Sequence, residues 1–258
     1  MKPEAALDFL ETLALAAGEV ILPYFQQPGL VVDAKSDATP VTQADRRAEE
    51  VMRDLIAKHH PSHGIIGEEF GNEAEDAEFV WVLDPIDGTK SFVAGIPLFG
   101  VLIGLLHGGK PVAGCIHQPV LREMCLGNAE QTTLNGRSVR VRECSGLDQA
   151  LVLSTCPGSP EQFPNASGFD RIRSKARLVR TWGDCYGYLM VASGRADLMM
   201  DPVLNPWDLL PLIPIIHGAG GILTAWSGGD ALAEGSALAG SRAVHAAALK
   251  CLEAGQAG

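Results

Sequence analysis

The chain has 258 residues, 47% of them hydrophobic, with 20 Lys and Arg against 31 Asp and Glu and a formal net charge of −11. That length and apolar content support one large domain or two smaller ones sharing a core, and exclude extended disorder. The scattered cations exclude a nucleic-acid surface, and an acidic enzyme acting on an anionic substrate would need bound cations.

Cys115, Cys125, Cys144, Cys156, Cys185 and Cys251 are dispersed without a CxxC pair. This fits neither a disulfide framework nor a structural zinc site, and predicts a reducing, cytoplasmic setting. Glu4, Asp8 and Glu11 stand where a secretory signal would be cationic, and no apolar run approaches 18 residues, so no export and no membrane association are expected.

In chain order, Leu7, Leu10, Leu13, Ala17, Val20 and Tyr24 recur at helical spacing and predict a long amphipathic first helix with a core-facing stripe. "KSDATPVTQADRRAEEVMRDLIAKHH" reads as a polar loop followed by a helix, with Thr42 as N-cap and Asp45 in the first turn. His59, His60 and His63 read as a solvated loop rather than a ligand cluster. "GIIGEEF" predicts a short strand ending in adjacent acids. From Phe79, "FVWVL", "GVLIGLLHGG", "PVAGCIHQPV" and "REMCLGN" are separated by Gly and Pro breaks and predict an antiparallel meander.

After about Arg142 the elements alternate. Strand "ALVLST", a helix near 165–175, strand "ARLV", helix "CYGYLMVASG", strand "ADLMM", helix "PWDLLPLIPIIHGAG" and strand "GILTAW" predict an α/β second half. Gly218, Gly220 and Gly221 end the last of these helices.

The run "FVWVL" leads into "DPIDGTKSF". Asp84 falls at the strand end, Pro85 restricts the backbone, and Asp87 returns to the same side just before Gly88 and Thr89 open a helical turn. Two carboxylates then face one point, with the Ile86 carbonyl between them as a third oxygen. Mg²⁺ takes oxygen ligands at roughly 2.1 Å and keeps several waters, a cage that a phosphate can complete. The Gly88 and Thr89 amides would bind that phosphate. Asp, Pro and Gly equally suit a surface turn. An EF-hand loop fails because Ile86 breaks the alternation of acids. A covalent aspartyl-phosphate phosphatase fails because its acids are two apart, not three.

"PVTQAD" at 40–45, "GEE" at 67–69, "WVLDPIDGTKSF" at 81–92, "PWD" at 206–208 and "GAGG" at 218–221 together resemble the motif set of the inositol monophosphatase superfamily, in order and spacing, over nearly the whole chain. The resemblance implies a layered αβαβα sandwich, with an α+β part over 1–142 carrying most metal ligands and an α/β part over 143–258 carrying Asp208 and the substrate-selecting residues. It implies hydrolysis of a small phosphorylated substrate with two or three Mg²⁺ ions, and a homodimer. Glu68, Asp84 and the Ile86 carbonyl would hold the first ion, and Asp84, Asp87 and Asp208 the second; Glu68 could touch a third. Thr89 would pair with Asp45 by a hydrogen bond and, with Glu68, activate a metal-bound water. Lys35 matches a loop position near the metals, or is a plain surface lysine. Taken singly, Glu68 is a solvated loop acid and Asp208 a helix-start acid.

Within the superfamily, Lys90-Ser91-Phe92 after "DGT", the following segment "GIPLFGVLIGLLHGGKPVAGCIHQPVL" and "GDCYGY" at 183–188 are similar to histidinol-phosphate phosphatases. Asp184 stands where inositol phosphatases carry a small or hydroxyl residue. A carboxylate there complements the ammonium of histidinol phosphate, or else caps the following helix. Asn205 could face the same pocket. The alternatives are an inositol, sugar or nucleotide-derived phosphatase, and a weakly active metal-binding regulator of this fold.

Overall fold

The structure, a computed structural model, describes residues 3–34, 40–155 and 165–254. Helix α1 (Pro3–Ile21) buries Leu10, Leu13 and Ala17 of the predicted stripe, with Leu7 and Val20 packed at its edge, while Tyr24 lies beyond its end in a 3₁₀ turn. A hairpin, β1 (Val32–Ala34) and β2 (Pro40–Thr42), precedes α2 (Gln43–His59). Thr42 caps α2 as expected: its hydroxyl accepts from the Ala44 amide at 3.1 Å while Asp45 Oδ2 accepts from the Thr42 amide at 2.8 Å. There follow β3 (Gly64–Gly67), β4 (Gly71–Glu73), β5 (Phe79–Asp87), the short α3 (Thr89–Val93), β6 (Gly100–His107), β7 (Lys110–Gln118), β8 (Glu123–Asn128), β9 (Thr132–Leu134) and β10 (Arg137–Val139). These strands form one sheet in the order β10-β9-β8-β7-β6-β5-β3-β4, antiparallel except at β3–β5.

The second sheet comes from the alternating part: β11 (Leu151–Leu153), α4 (Ala166–Lys175), β12 (Leu178–Arg180), α5 (Asp184–Ala192), β13 (Leu198–Asp201), α6 (Pro206–Leu209), α7 (Leu212–Gly218), β14 (Ile222–Thr224), α8 (Ala231–Glu234), β15 (Ala237–Gly240) and α9 (Arg242–Glu253). Its order is β12-β11-β13-β15-β14, parallel over the first three strands and antiparallel over the last two.

Side chains that alternate along each strand assign the layers. Val101, Ile103 and Leu105 join Leu10, Leu13, Ala48 and Met52 beneath α1 and α2, whereas Leu102, Ile116 and Cys125 face Leu189, Leu212 and Ile215 of α5 and α7. In the second sheet Leu151, Leu153 and Met199 meet those same middle helices, while Val152, Leu198 and Met200 face Phe169, Ile172, Val244 and Ala248 of α4 and α9. The result is the expected αβαβα sandwich.

The helix expected over 206–220 is split into α6 and α7 at Pro211, which has no amide for an intrahelical bond. Pro211 lies against β7, where a Cβ at Gly114 would collide with its carbonyl. His59 is exposed at the end of α2, but His60 and His63 are half-buried rather than solvated. His60 and His63 stack at 4.6 Å, Phe9 meets His60 edge-on at 4.6 Å, and His63 Nδ1 accepts from Trp81 Nε1 at 3.1 Å.

Candidate active site

Strand β5 continues past its apolar run to Asp87, but its pairing with β6 shifts register between Asp84, opposite Leu102, and Asp87, opposite Gly100. Pro85 and Ile86 occupy that irregularity. Ile86 is buried, anchoring the turn, and its amide donates to Asp84 Oδ1 at 3.0 Å. Gly88 then takes a left-handed conformation, φ +86°, which a side chain would resist; a Cβ there would also stand 3.0 Å from Asp184 Oδ2.

Asp208 enters from the second sheet's side, in the first turn of α6, where its Oδ2 accepts from the Asn205 amide at 2.8 Å. Oxygens of Asp84, Asp87 and Asp208 all lie within 4.8 Å of one another. Glu68 follows β3, tied by its amide to the Leu83 carbonyl at 3.1 Å, and its side chain reaches Asp84.

The electrostatics follow from this crowding. Burial, then the charges of Glu68, Asp87 and Asp208, push the Asp84 carboxyl well up. Burial, then Asp184 and Asp208, do the same to Asp87. Asp208 is raised to about 6, by burial first and then by Glu68. Asp184 is raised to about 7, by burial and by Asp201 and Asp208, against the opposing charge of Lys90. Carboxylates without His or Cys, Asp84 buried and the others half-buried, that repel one another are a donor set suited to a hard divalent cation.

Beside the cluster lies a cavity of about 260 Å³ lined by Asp87, Lys90, Thr155, Asp184, Tyr188, Asp201, Leu204 and Asp208. Asp184 opens α5 with φ +52°, and its own amide donates to Thr155 Oγ1 at 2.9 Å. Gly183 is the N-cap, and the first two amides of α5 go to the Thr155 hydroxyl and the Asp87 carboxylate, so the capping role considered for Asp184 does not apply.

Thr89 does not bond Asp45. Its hydroxyl donates to the Ile86 carbonyl at 3.0 Å, and Asp45 Oδ2 instead receives the Thr42 hydroxyl at 2.6 Å. Each has a nearer partner three residues back in its own turn. Asn205 is exposed and does not line the cavity; as the N-cap residue of α6 its amide is used to hold Asp208. Lys35 lies outside the described residues.

Asp201, Tyr188 and Thr155 escaped sequence reasoning. Asp201 is buried, accepting from Tyr188 Oη at 3.0 Å and from the Thr155 amide at 3.0 Å. The available signal was an acid ending an apolar strand, "ADLMMD", the feature that marked Asp84 after "FVWVL".

Residues 2–256 match the model of the inositol monophosphatase family. The chloroplastic bifunctional phosphatase IMPL2 of Arabidopsis thaliana is 44% identical over 256 residues, 93% of this chain and 73% of that one. The histidinol-phosphatase of Chlorobaculum parvum is 40% identical over 229 residues, 88% of each chain. The solved inositol monophosphatase of Zymomonas mobilis superposes with a TM-score of 0.86 at 37% identity, over 98% of this chain and 99% of that one.

Proposed function

We propose a reaction for this chain from one premise: it belongs to the inositol monophosphatase family and is a phosphatase. The substrate is L-histidinol phosphate, which water cleaves to L-histidinol and inorganic phosphate with Mg²⁺ bound. Glu68, Asp84 and the Ile86 carbonyl hold one ion, and Asp84, Asp87 and Asp208 another, so that residues 1–142 supply most ligands and residues 143–258 supply Asp208 and the selecting group Asp184. When bound there, Mg²⁺ would supply positive charge that makes a water more acidic and offsets negative charge on the phosphate ester's oxygens during an in-line displacement.

The protein's own groups supply orientation. The Thr89 proton is committed to the Ile86 carbonyl, so the hydroxyl offers only lone pairs to an attacking water. Glu68, against Asp84, is the acceptor for the second proton of that water. Gly88, with no side chain, leaves room for the phosphate next to Asp184.

One observation carries the choice of substrate: the Asp184 carboxylate makes no cap and faces the cavity that Asp87 and Asp208 also line. It complements the α-ammonium of histidinol phosphate, whereas inositol offers only hydroxyls. Relatives named histidinol-phosphatase, at 40% and 33% identity, support the same reading. A phosphate-release screen over histidinol phosphate, inositol phosphates, fructose bisphosphate and 3′-phosphoadenosine 5′-phosphate tests it. Preference for an uncharged polyol phosphate would overturn the substrate, and turnover of none would leave the regulator reading. A cytoplasmic homodimer belongs to the same proposal, and light scattering checks the dimer.

A further inference from the structure

Glu49 and Arg53 lie one turn apart on α2, away from the cavity, yet their side chains are almost wholly removed from water: 0% exposed for Glu49 and 12% for Arg53. A carboxylate buried that completely needs every lone pair occupied. Glu49 Oε1 accepts from Arg53 Nε at 2.8 Å and from the Phe70 amide at 3.2 Å, and Oε2 accepts from the Glu69 amide at 2.8 Å. Arg53 completes the clamp: Nη1 reaches Glu73 Oε1 at 2.8 Å, Nη2 donates to the Gly71 carbonyl, and the guanidinium lies 5.9 Å from the centre of the Phe70 ring.

The clamped segment begins at Gly67, where a Cβ would collide with Glu49 Oε1 and the Arg53 guanidinium, and it ends at β4. Glu68 is its second residue. The Glu68 amide is fixed to Leu83 of β5, one residue before Asp84, and the next two amides are fixed to Glu49. The backbone on both sides of the Glu68 side chain is therefore pinned, one side to the strand that carries Asp84 and the other to α2.

We propose that Glu49, ion-paired with Arg53, is a positioning residue that sets the Glu68 carboxylate against Asp84 for metal binding. The inference rests on the reading of Glu68 as a metal ligand. Groups that orient a ligand typically contribute 10- to 100-fold to metal affinity, since a displaced oxygen cannot meet the narrow distance that Mg²⁺ demands. Glu49→Gln keeps one carbonyl oxygen but removes the charge that holds Arg53, so the loop gains freedom while the helix stays intact.

The experiment measures Mg²⁺ binding by calorimetry and by the rise in melting temperature on adding Mg²⁺, for wild type, Glu68→Gln, Glu49→Gln and the double variant. Glu49→Asp, which keeps the charge but withdraws it by about one methylene, serves if Glu49→Gln does not fold. The expected result is an affinity loss of about 10- to 100-fold for either Glu49 variant and no further loss when Glu49→Gln is added to Glu68→Gln. If Glu68→Gln binds Mg²⁺ as tightly as wild type, the ligand role of Glu68 fails and takes the inference with it. If Glu68→Gln binds weakly but the Glu49 variants bind normally, the inference alone is overturned. An equal loss from Glu49→Gln in both backgrounds overturns it too, because the clamp would then act on the fold and not through Glu68.

Discussion

Asp87 accepts a hydrogen bond from the backbone amide of Cys185, 98 residues further along the chain, so the last acid of β5 and the first turn of α5 meet at one carboxylate. The contact fixes the distance between the acidic cluster and Asp184, the residue immediately before Cys185. Asp184 and Asp208 in turn act electrostatically on Asp87. The acidic cluster and the start of α5 are thus mechanically joined: a change that moves the start of α5 moves a carboxylate of the cluster.

Metal-free protein should lose stability as pH rises. Asp208 goes from 3.8 unfolded to about 6 folded, Asp184 from 3.8 to about 7, and Asp84 and Asp87 are raised as well. A carboxyl whose folded pKa is raised is at no disadvantage below about pH 4 and increasingly destabilises the fold as pH climbs through 6 to 7. Mg²⁺ offsets that repulsion, so the gain in melting temperature from Mg²⁺ over EDTA should grow from pH 5 to pH 8. Comparing the two curves at each pH cancels the contribution of groups far from the cluster. A gain that is flat or shrinks with pH contradicts the assignment of these acids to a cation.

In the proposed reaction the Thr89 hydroxyl orients the water while other groups hold the substrate, so Thr89→Ala should lower kcat by about 10²–10⁴-fold with little change in KM. Thr89→Ser keeps the donor to the Ile86 carbonyl and should retain most activity. Steady-state kinetics on both variants checks this; a raised KM with normal kcat in Thr89→Ala would make Thr89 a binding group only.

Much of this site can be read from local spacing. Asp84 and Asp87 are visible because a strand, a proline and a Gly-Thr pair lie within one short stretch, and Thr42 with Asp45 because a capping box spans four residues. Strands β1, β4, β9 and β10 have three residues each, too few to show a period of two. The pairing of Asp201 with Tyr188, and of Glu49 with the loop after β3, joins segments that only tertiary packing brings together. The resemblance pairs Thr89 with Asp45, and the structure does not, for the opposite reason. A carbonyl three residues back competes better than an acid from a different helix.

The histidine stack predicts an acid limb in the stability curve. His60 and His63 have pKa values lowered, first by burial and then by their histidine neighbours, His59 and His60 respectively. A base with a lowered folded pKa keeps its full contribution above about pH 6.5 and loses it as pH falls, since the unfolded chain takes up the proton first. Protonating His63 Nδ1 would also remove the acceptor for Trp81. Among the described residues, Glu78 is the other charge that acts on this pair, opposing the fall at His63. His60→Phe keeps a ring against Phe9 and His63 and removes one charge, so its melting temperature should fall less than that of wild type between pH 7.5 and 5.5. Equal falls would place the acid limb elsewhere.

The proposed substrate choice rests on Asp184, and the structure sharpens its test. With capping removed as an alternative, Asp184→Asn should leave the melting temperature unchanged or higher: asparagine tolerates the left-handed backbone at φ +52°, and the substitution relieves repulsion from Asp201 and Asp208. If the carboxylate receives the ammonium of histidinol phosphate, the charge-assisted bond contributes roughly 1.5–3 kcal/mol in a partly desolvated cavity. Its loss should lower kcat/KM for histidinol phosphate by about 10- to 150-fold, each ~1.4 kcal/mol being a factor of ten. A phosphate ester with an uncharged leaving group makes no such bond and should keep its kcat/KM. Kinetics of Asp184→Asn on the two esters, beside melting curves, separates the outcomes. Equal losses on both would mean that Asp184 acts through Asp87 and the Cys185 amide rather than on the substrate. No loss on either would remove the chemical ground for histidinol phosphate.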